Sequence, residues 1–193
     1  MPFRTIPLNL PNIVTVLRIL LIPLIVGVFY LPDHWLAYGG KNVAATAIFI
    51  VAAVTDWLDG YLARKLNQMS AFGAFLDPVA DKLVVVGALI VLLKLGRVDM
   101  VVGLIIIGRE IAISALREWM ATVGRAKSVA VAFIGKLKTV LQMVAIPLLL
   151  FEDRLFGLID CSALGTVLIY VAAVLTVVSM LYYMRRALAP ARG

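Results

Sequence analysis

Charge is scarce in this sequence: only 15% of its 193 residues are Asp, Glu, Lys or Arg, where soluble domains carry roughly 25%. Hydrophobic residues make up 63%, so a soluble globular fold is excluded before any motif is read. The single cysteine, Cys161, excludes an intramolecular disulfide and reads as an apolar filler near a helix end. The single histidine, His34, lies beside Asp33 in an expected outer loop and reads as a solvated residue. No Pro/Gly/Ser-rich linker, low-complexity run or internal repeat divides the chain, which reads as a single membrane-embedded domain over residues 1–193. Arg4 and Arg18 flank a long apolar run that has no small-residue cleavage site, the pattern of a retained first helix.

What is present is apolar length. A hydrocarbon core of about 30 Å takes roughly 20 helical residues. Six stretches come near that: 13–31, 43–62, 79–95, 101–121, 133–151 and 164–184, after an N-terminal interfacial segment over residues 1–12. Backbone polar groups in lipid must be paired internally, and the alternation of a membrane strand is absent. The expected fold is therefore an all-α integral membrane protein with six transmembrane helices. Pro23 and Pro147 read as tolerated kinks, and Tyr30, Trp35, Tyr38, Tyr182 and Tyr183 as interfacial anchors.

A net charge of +7 suggests nucleic acid only until its placement is considered. With both termini on one side of six spans, fourteen of the eighteen Lys and Arg residues fall on that side, and Lys41, Lys94, Arg97 and Arg154 are left on the other. The positive-inside rule then places the termini and the loops near residues 65–75 and 122–132 in the cytoplasm.

Carboxylates near a membrane span cost about 2.5–3.5 kcal/mol each on insertion scales, so they call for a partner or a function. Asp56, Asp59, Asp77 and Asp81 fall within 26 residues. Asp56 and Asp59 share a helix face. Gly73, Asp77 and Asp81 step by four and fall within about 80° of one another on a continuous helix. Pro78 either begins that helix or kinks it. A short cytoplasmic loop makes the second and third helices antiparallel neighbours, with both Asp pairs at one membrane depth. Four ionised carboxylates repel unless protons or cations bind. An all-oxygen set suits Mg²⁺ or Mn²⁺, and no nearby His or Cys favours zinc. Gly60 and Ala63 leave room for close substrate approach, and Arg64 adds a fixed cation suited to a phosphate oxygen. An acid-lined divalent cation or proton path is the competing reading, although it offers no reason for Gly60, Ala63, Arg64 and Gly73.

Residues 56–81 read Asp-Trp-Leu-Asp-Gly-Tyr-Leu-Ala-Arg, eight residues, Gly73, then Asp77 and Asp81. This resembles the signature of the CDP-alcohol phosphatidyltransferase family at every fixed position. The resemblance implies a six-helix homodimer of the bacterial inner membrane with its site facing the cytoplasm. It also implies transfer of a phosphatidyl group from CDP-diacylglycerol to an alcohol, with CMP released by direct displacement. Two Mg²⁺ or Mn²⁺ ions on Asp56, Asp59, Asp77 and Asp81 are implied, with Asp81 also the general base and Gly60, Ala63, Arg64 and Gly73 against the CDP lipid. Pro11-Asn12, Thr15 and Arg18 resemble the start of bacterial members, where this segment lies near the nucleotide. Contact with the CDP lipid and interfacial anchoring both remain open for Thr15 and Arg18.

The acceptor must be read elsewhere. Arg109, Glu110, Arg117 and Glu118 interrupt an apolar stretch, and Lys136 and Lys138 open the fifth helix. Arg109 and Glu110 are adjacent, are expected to point in different directions and so are not expected to neutralise one another. Cations without matching charge would suit an acceptor phosphate. Side chains snorkelling to the cytoplasm are the bland alternative. Segments such as Arg109-Glu110-Ile111, Ser114-Ala115-Leu116-Arg117-Glu118-Trp119 and Gly135-Lys136-Leu137-Lys138-Thr139 resemble the bacterial family members that use sn-glycerol 3-phosphate. That closer resemblance implies sn-glycerol 3-phosphate as acceptor, with Arg109, Arg117, Lys136 and Lys138 on its phosphate. Inositol phosphate, serine or phosphatidylglycerol are the alternatives.

Overall fold

The computed structural model describes residues 10–65, 71–122 and 133–188. Among them are six α-helices: α1 (Leu10–Val28), α2 (Tyr38–Lys65), α3 (Ala71–Lys94), α4 (Met100–Thr122), α5 (Phe133–Phe151) and α6 (Cys161–Leu188). Tyr38–Asp56 of α2 and Cys161–Tyr182 of α6 are long and apolar enough to cross a membrane, while the apolar stretches Asn12–Val28 and Leu137–Phe151 are shorter. Leu17, Leu20, Leu24, Val54, Val167 and Val174 point outward and are exposed, as expected where lipid replaces water as the solvent.

Helix ends follow local chemistry. Past Val28, α1 gives way to tighter bonds from Phe29, Tyr30 and Leu31 to the carbonyls three residues back, and Pro32 follows. The third helix begins at Ala71, eight residues before the expected start at 79, and Pro78 lies in its interior. Pro78 therefore interrupts a helix already under way, and Gly73, Asp77 and Asp81 share one continuous helix. The side chain of Asp99 caps α4, accepting from the Val101 N–H at 2.8 Å, and Asp160 caps α6 through the Ala163 N–H at 2.9 Å. Asp99→Ala is expected to cost about 1 kcal/mol, measurable as a lower midpoint in thermal unfolding in detergent.

One element departs from the all-helical expectation. Arg154–Leu155 and Ile159–Asp160 pair as a minimal antiparallel hairpin, β1 and β2. Its turn places Phe156 and Gly157 at positive φ, 53° and 71°. Two-residue strands are too short to leave an alternating pattern in sequence, and Gly157 is the only residue there that takes this conformation without strain.

The chain forms two compact units. The first comprises α1, α2 and α3 with residues 150–153, and the second runs over 95–149 and 154–193. In the first, α1 packs along both α2 and α3, around a core that includes Ile25, Ala45, Phe49, Ala52, Ala80, Ala88 and Leu89. Gly87 lets α3 approach α1, since a Cβ there would meet Ile22 at 2.8 Å. The end of this unit remote from Asp56 on α2 is held by Lys41 paired with Asp33 at 2.7 Å, by Asn42 donating to Glu152 at 3.2 Å, and by the Lys94 ammonium 3.8 Å above the Tyr30 ring. In the second unit α4 packs against α6. Gly165 admits Leu149, and Arg97 donates to the Leu149 carbonyl at 3.0 Å, satisfying a group near the C-terminal end of α5.

Candidate active site

The acidic residues belong to the first unit, where α1 supplies their partners. Asn12, Thr15 and Arg18 recur every three residues and are all buried, whereas Ile13, Val16, Leu17 and Leu20 on the other faces of α1 are exposed. This helix is polar inside and apolar outside. The Thr15 hydroxyl donates to Asp77 Oδ1 at 2.6 Å, and Arg18 Nη1 donates to Asp56 Oδ1 at 2.6 Å. Thr15 and Arg18 therefore face the aspartates.

The Arg18–Asp56 pair is asymmetric, with the arginine side chain 1% exposed and the carboxylate 38%. A buried guanidinium needs a counter-charge, and Asp56 provides it while keeping one side open. Both bonds from α1 engage Oδ1, and a carboxylate carries a second acceptor oxygen. Gly73 is buried on α3, and Asp77 and Asp81 are half-buried one turn apart on the same helix. Asp59, Gly60, Ala63 and Arg64 fall on α2, and their side chains lie outside the described residues.

All-oxygen carboxylate donors held from behind by a hydroxyl and a guanidinium fit a hard divalent cation by donor chemistry. Among the described residues, no three His, Cys, Asp or Glu side chains stand together as a ready metal cage.

The second unit carries the basic residues. Arg109 on α4 and Lys138 on α5 are buried. Contrary to the expectation from their adjacency, Arg109 and Glu110 pair, with Nη1 to Oε1 at 3.0 Å. The reach of the arginine side chain overcomes the angle between neighbouring positions on a helix. Lys138 Nζ reaches the same Glu110 oxygen at 2.5 Å. Arg109 also donates through Nη2 to Ser179 Oγ at 3.3 Å, and Ser179 donates to the Thr176 carbonyl at 2.9 Å. The cluster ties α4 to α5 and to α6. Two cations from two helices share one carboxylate oxygen. The side chains of Arg117 and Lys136 lie outside the described residues.

Glu110 and Ser179 were missed as members of this cluster. An acid in an apolar stretch was a usable signal for Glu110. Ser179 carried none, being 70 residues from Arg109 in an ordinary helix.

The family model for CDP-alcohol phosphatidyltransferase matches residues 8–178. Proteins of Escherichia coli and Shigella flexneri named CDP-diacylglycerol–glycerol-3-phosphate 3-phosphatidyltransferase are each 49% identical to the chain over 181 residues, covering 93% of it and 94% of their own length. A protein of the same name from Shigella boydii matches to the same extent.

Proposed function

Because the chain belongs to the CDP-alcohol phosphatidyltransferase family, we propose that it is a membrane-bound bacterial enzyme that transfers the phosphatidyl group of CDP-diacylglycerol to sn-glycerol 3-phosphate. The products are phosphatidylglycerophosphate and CMP, a step of anionic phospholipid synthesis. The observation that carries this reading is 49% identity, over nearly the whole chain, to relatives named for that reaction.

In this reaction the acceptor hydroxyl oxygen bonds to the lipid-side phosphorus, the bond from that phosphorus to the bridging oxygen breaks, and CMP leaves with the electron pair. Asp81 takes the hydroxyl proton on a carboxylate oxygen. Asp56, Asp59, Asp77 and Asp81 would hold two Mg²⁺ or Mn²⁺ ions, which would supply neutralisation of phosphate charge and acidification of the hydroxyl. Gly60, Ala63, Arg64 and Gly73 bind the CDP lipid, with Thr15 and Arg18 at its edge. Thr15 and Arg18 also keep Asp77 and Asp56 oriented, which supports a preorganised acid face. Arg109, Arg117, Lys136 and Lys138 bind the acceptor phosphate, supported by the burial of Arg109 and Lys138 around the shared Glu110 oxygen. The six helices span the bilayer with both termini and the site on the cytoplasmic side, and the enzyme works as a homodimer.

Purified protein given CDP-diacylglycerol and, separately, glycerol 3-phosphate, serine, inositol phosphate or phosphatidylglycerol is expected to release CMP efficiently only with glycerol 3-phosphate. Faster release with another acceptor would overturn the assignment. Arg109→Ala is expected to raise the apparent KM for glycerol 3-phosphate by about tenfold or more, the loss of one charge-assisted contact. An unchanged KM would make Arg109 structural.

A further inference from the structure

We propose that Glu110 is a positioning residue for the acceptor phosphate, acting through Arg109 and Lys138; this rests on the acceptor-site reading given above. An acid inside a site for an anion is at first sight a liability, because its charge repels the ligand. The geometry explains its presence. Glu110 Oε1 receives both Arg109 Nη1, at 3.0 Å, and Lys138 Nζ, at 2.5 Å. Without it, the guanidinium and the ammonium would lose the one oxygen that both reach, and their mutual repulsion would turn them apart. With it, two cations from two helices are held at one point.

The arginine is fixed twice, by Glu110 through Nη1 and by Ser179 through Nη2. Ser179 is itself tied to the Thr176 carbonyl, so the plane of the fork is set from α4 and α6 together. Lys138 has three donors on a flexible stem, and the Glu110 carboxylate gives that stem one direction. A phosphomonoester arriving at such a cluster meets oriented donors, and little ordering remains to be done on binding. Glu110 thus weakens the local field by one charge and gains alignment in exchange.

These two effects have opposite signs in a binding measurement. If Glu110 acted through charge alone, Glu110→Gln would strengthen anion binding and lower the KM for glycerol 3-phosphate, and Glu110→Asp would leave it unchanged. Positioning predicts that both variants raise it. Glu110→Gln loses the charge that draws in both cations, and Glu110→Asp keeps the charge but falls one methylene short.

The test is steady-state CMP release by the full chain in detergent micelles, varying glycerol 3-phosphate and CDP-diacylglycerol in turn, with Arg109→Ala and Lys138→Ala measured alongside. The expected result is a rise of about tenfold in KM for glycerol 3-phosphate in both Glu110 variants, a much smaller change in kcat, and an unchanged KM for CDP-diacylglycerol. If Arg109→Ala and Lys138→Ala raise that KM while both Glu110 variants leave it alone or lower it, the positioning role is overturned and the acceptor site stands. If neither Arg109→Ala nor Lys138→Ala moves it, the acceptor site itself is wrong, and the role of Glu110 falls with it. Should Glu110→Gln fail to fold, Glu110→Asp alone decides, because the charge-only account predicts no change there.

Discussion

Asp81→Asn is expected to lower turnover by roughly 10³-fold while leaving the protein folded. The amide has the shape of the acid, so the packing of α3 beside the fully buried Ala80 is undisturbed. It cannot accept the proton of the acceptor hydroxyl, and it is a poorer ligand for a hard cation. In the proposed mechanism base and ligand are removed in one substitution, so a larger loss is expected here than at any residue that only binds substrate. Turnover by CMP release, with monodispersity in detergent as the control for folding, checks it. Activity near that of the parent would remove Asp81 from the mechanism.

The second large effect is expected at Arg18, through stability. Its side chain is 1% exposed and sits 2.6 Å from Asp56, so Arg18→Ala deletes a large buried group and strands a carboxylate. Breaking a fully buried pair costs about 3–5 kcal/mol. Asp56 is 38% exposed and recovers part of its solvation, which brings the expected cost to about 2 kcal/mol. For a chain of this length, a drop in Tm of about 5 °C follows. Arg18→Lys keeps the charge without the planar fork and is expected to recover only part of the loss. Differential scanning of the three proteins in one detergent measures this. An unchanged Tm for Arg18→Ala would show that the pair contributes nothing to the fold.

The helices were legible in sequence because apolar length is a local property. Residues 133–151 and 101–121 were expected as spans, and α5 and α4 form there within a residue at each end. The start of α3 was not legible, since Ala71-Phe72-Gly73-Ala74-Phe75-Leu76 precedes a proline and carries a glycine, both of which suggest a break. Neighbouring helices tolerate such an interruption where a single segment would not.

Partnerships across the fold were harder to see. Nothing local links Thr15 to Asp77, 62 positions away, or Arg18 to Asp56, 38 away. Thr15 and Arg18 are three apart and share a helix face, but their spacing does not say what that face meets. Arg109 and Glu110 were misread for the opposite reason. Adjacent helix positions point apart, but the arginine side chain is long enough to close that angle and reach Glu110.

The central claim is phosphatidyl transfer by this chain, and the most direct measurement follows the acceptor into lipid. Purified protein in liposomes is supplied with CDP-diacylglycerol, labelled glycerol 3-phosphate and Mg²⁺ or Mn²⁺. The expected result is label in the lipid fraction as phosphatidylglycerophosphate, one CMP for each labelled lipid, and neither product after chelation of divalent ions. Divalent cation flux across the same liposomes, with no CMP and no labelled lipid formed under any of these conditions, would contradict it.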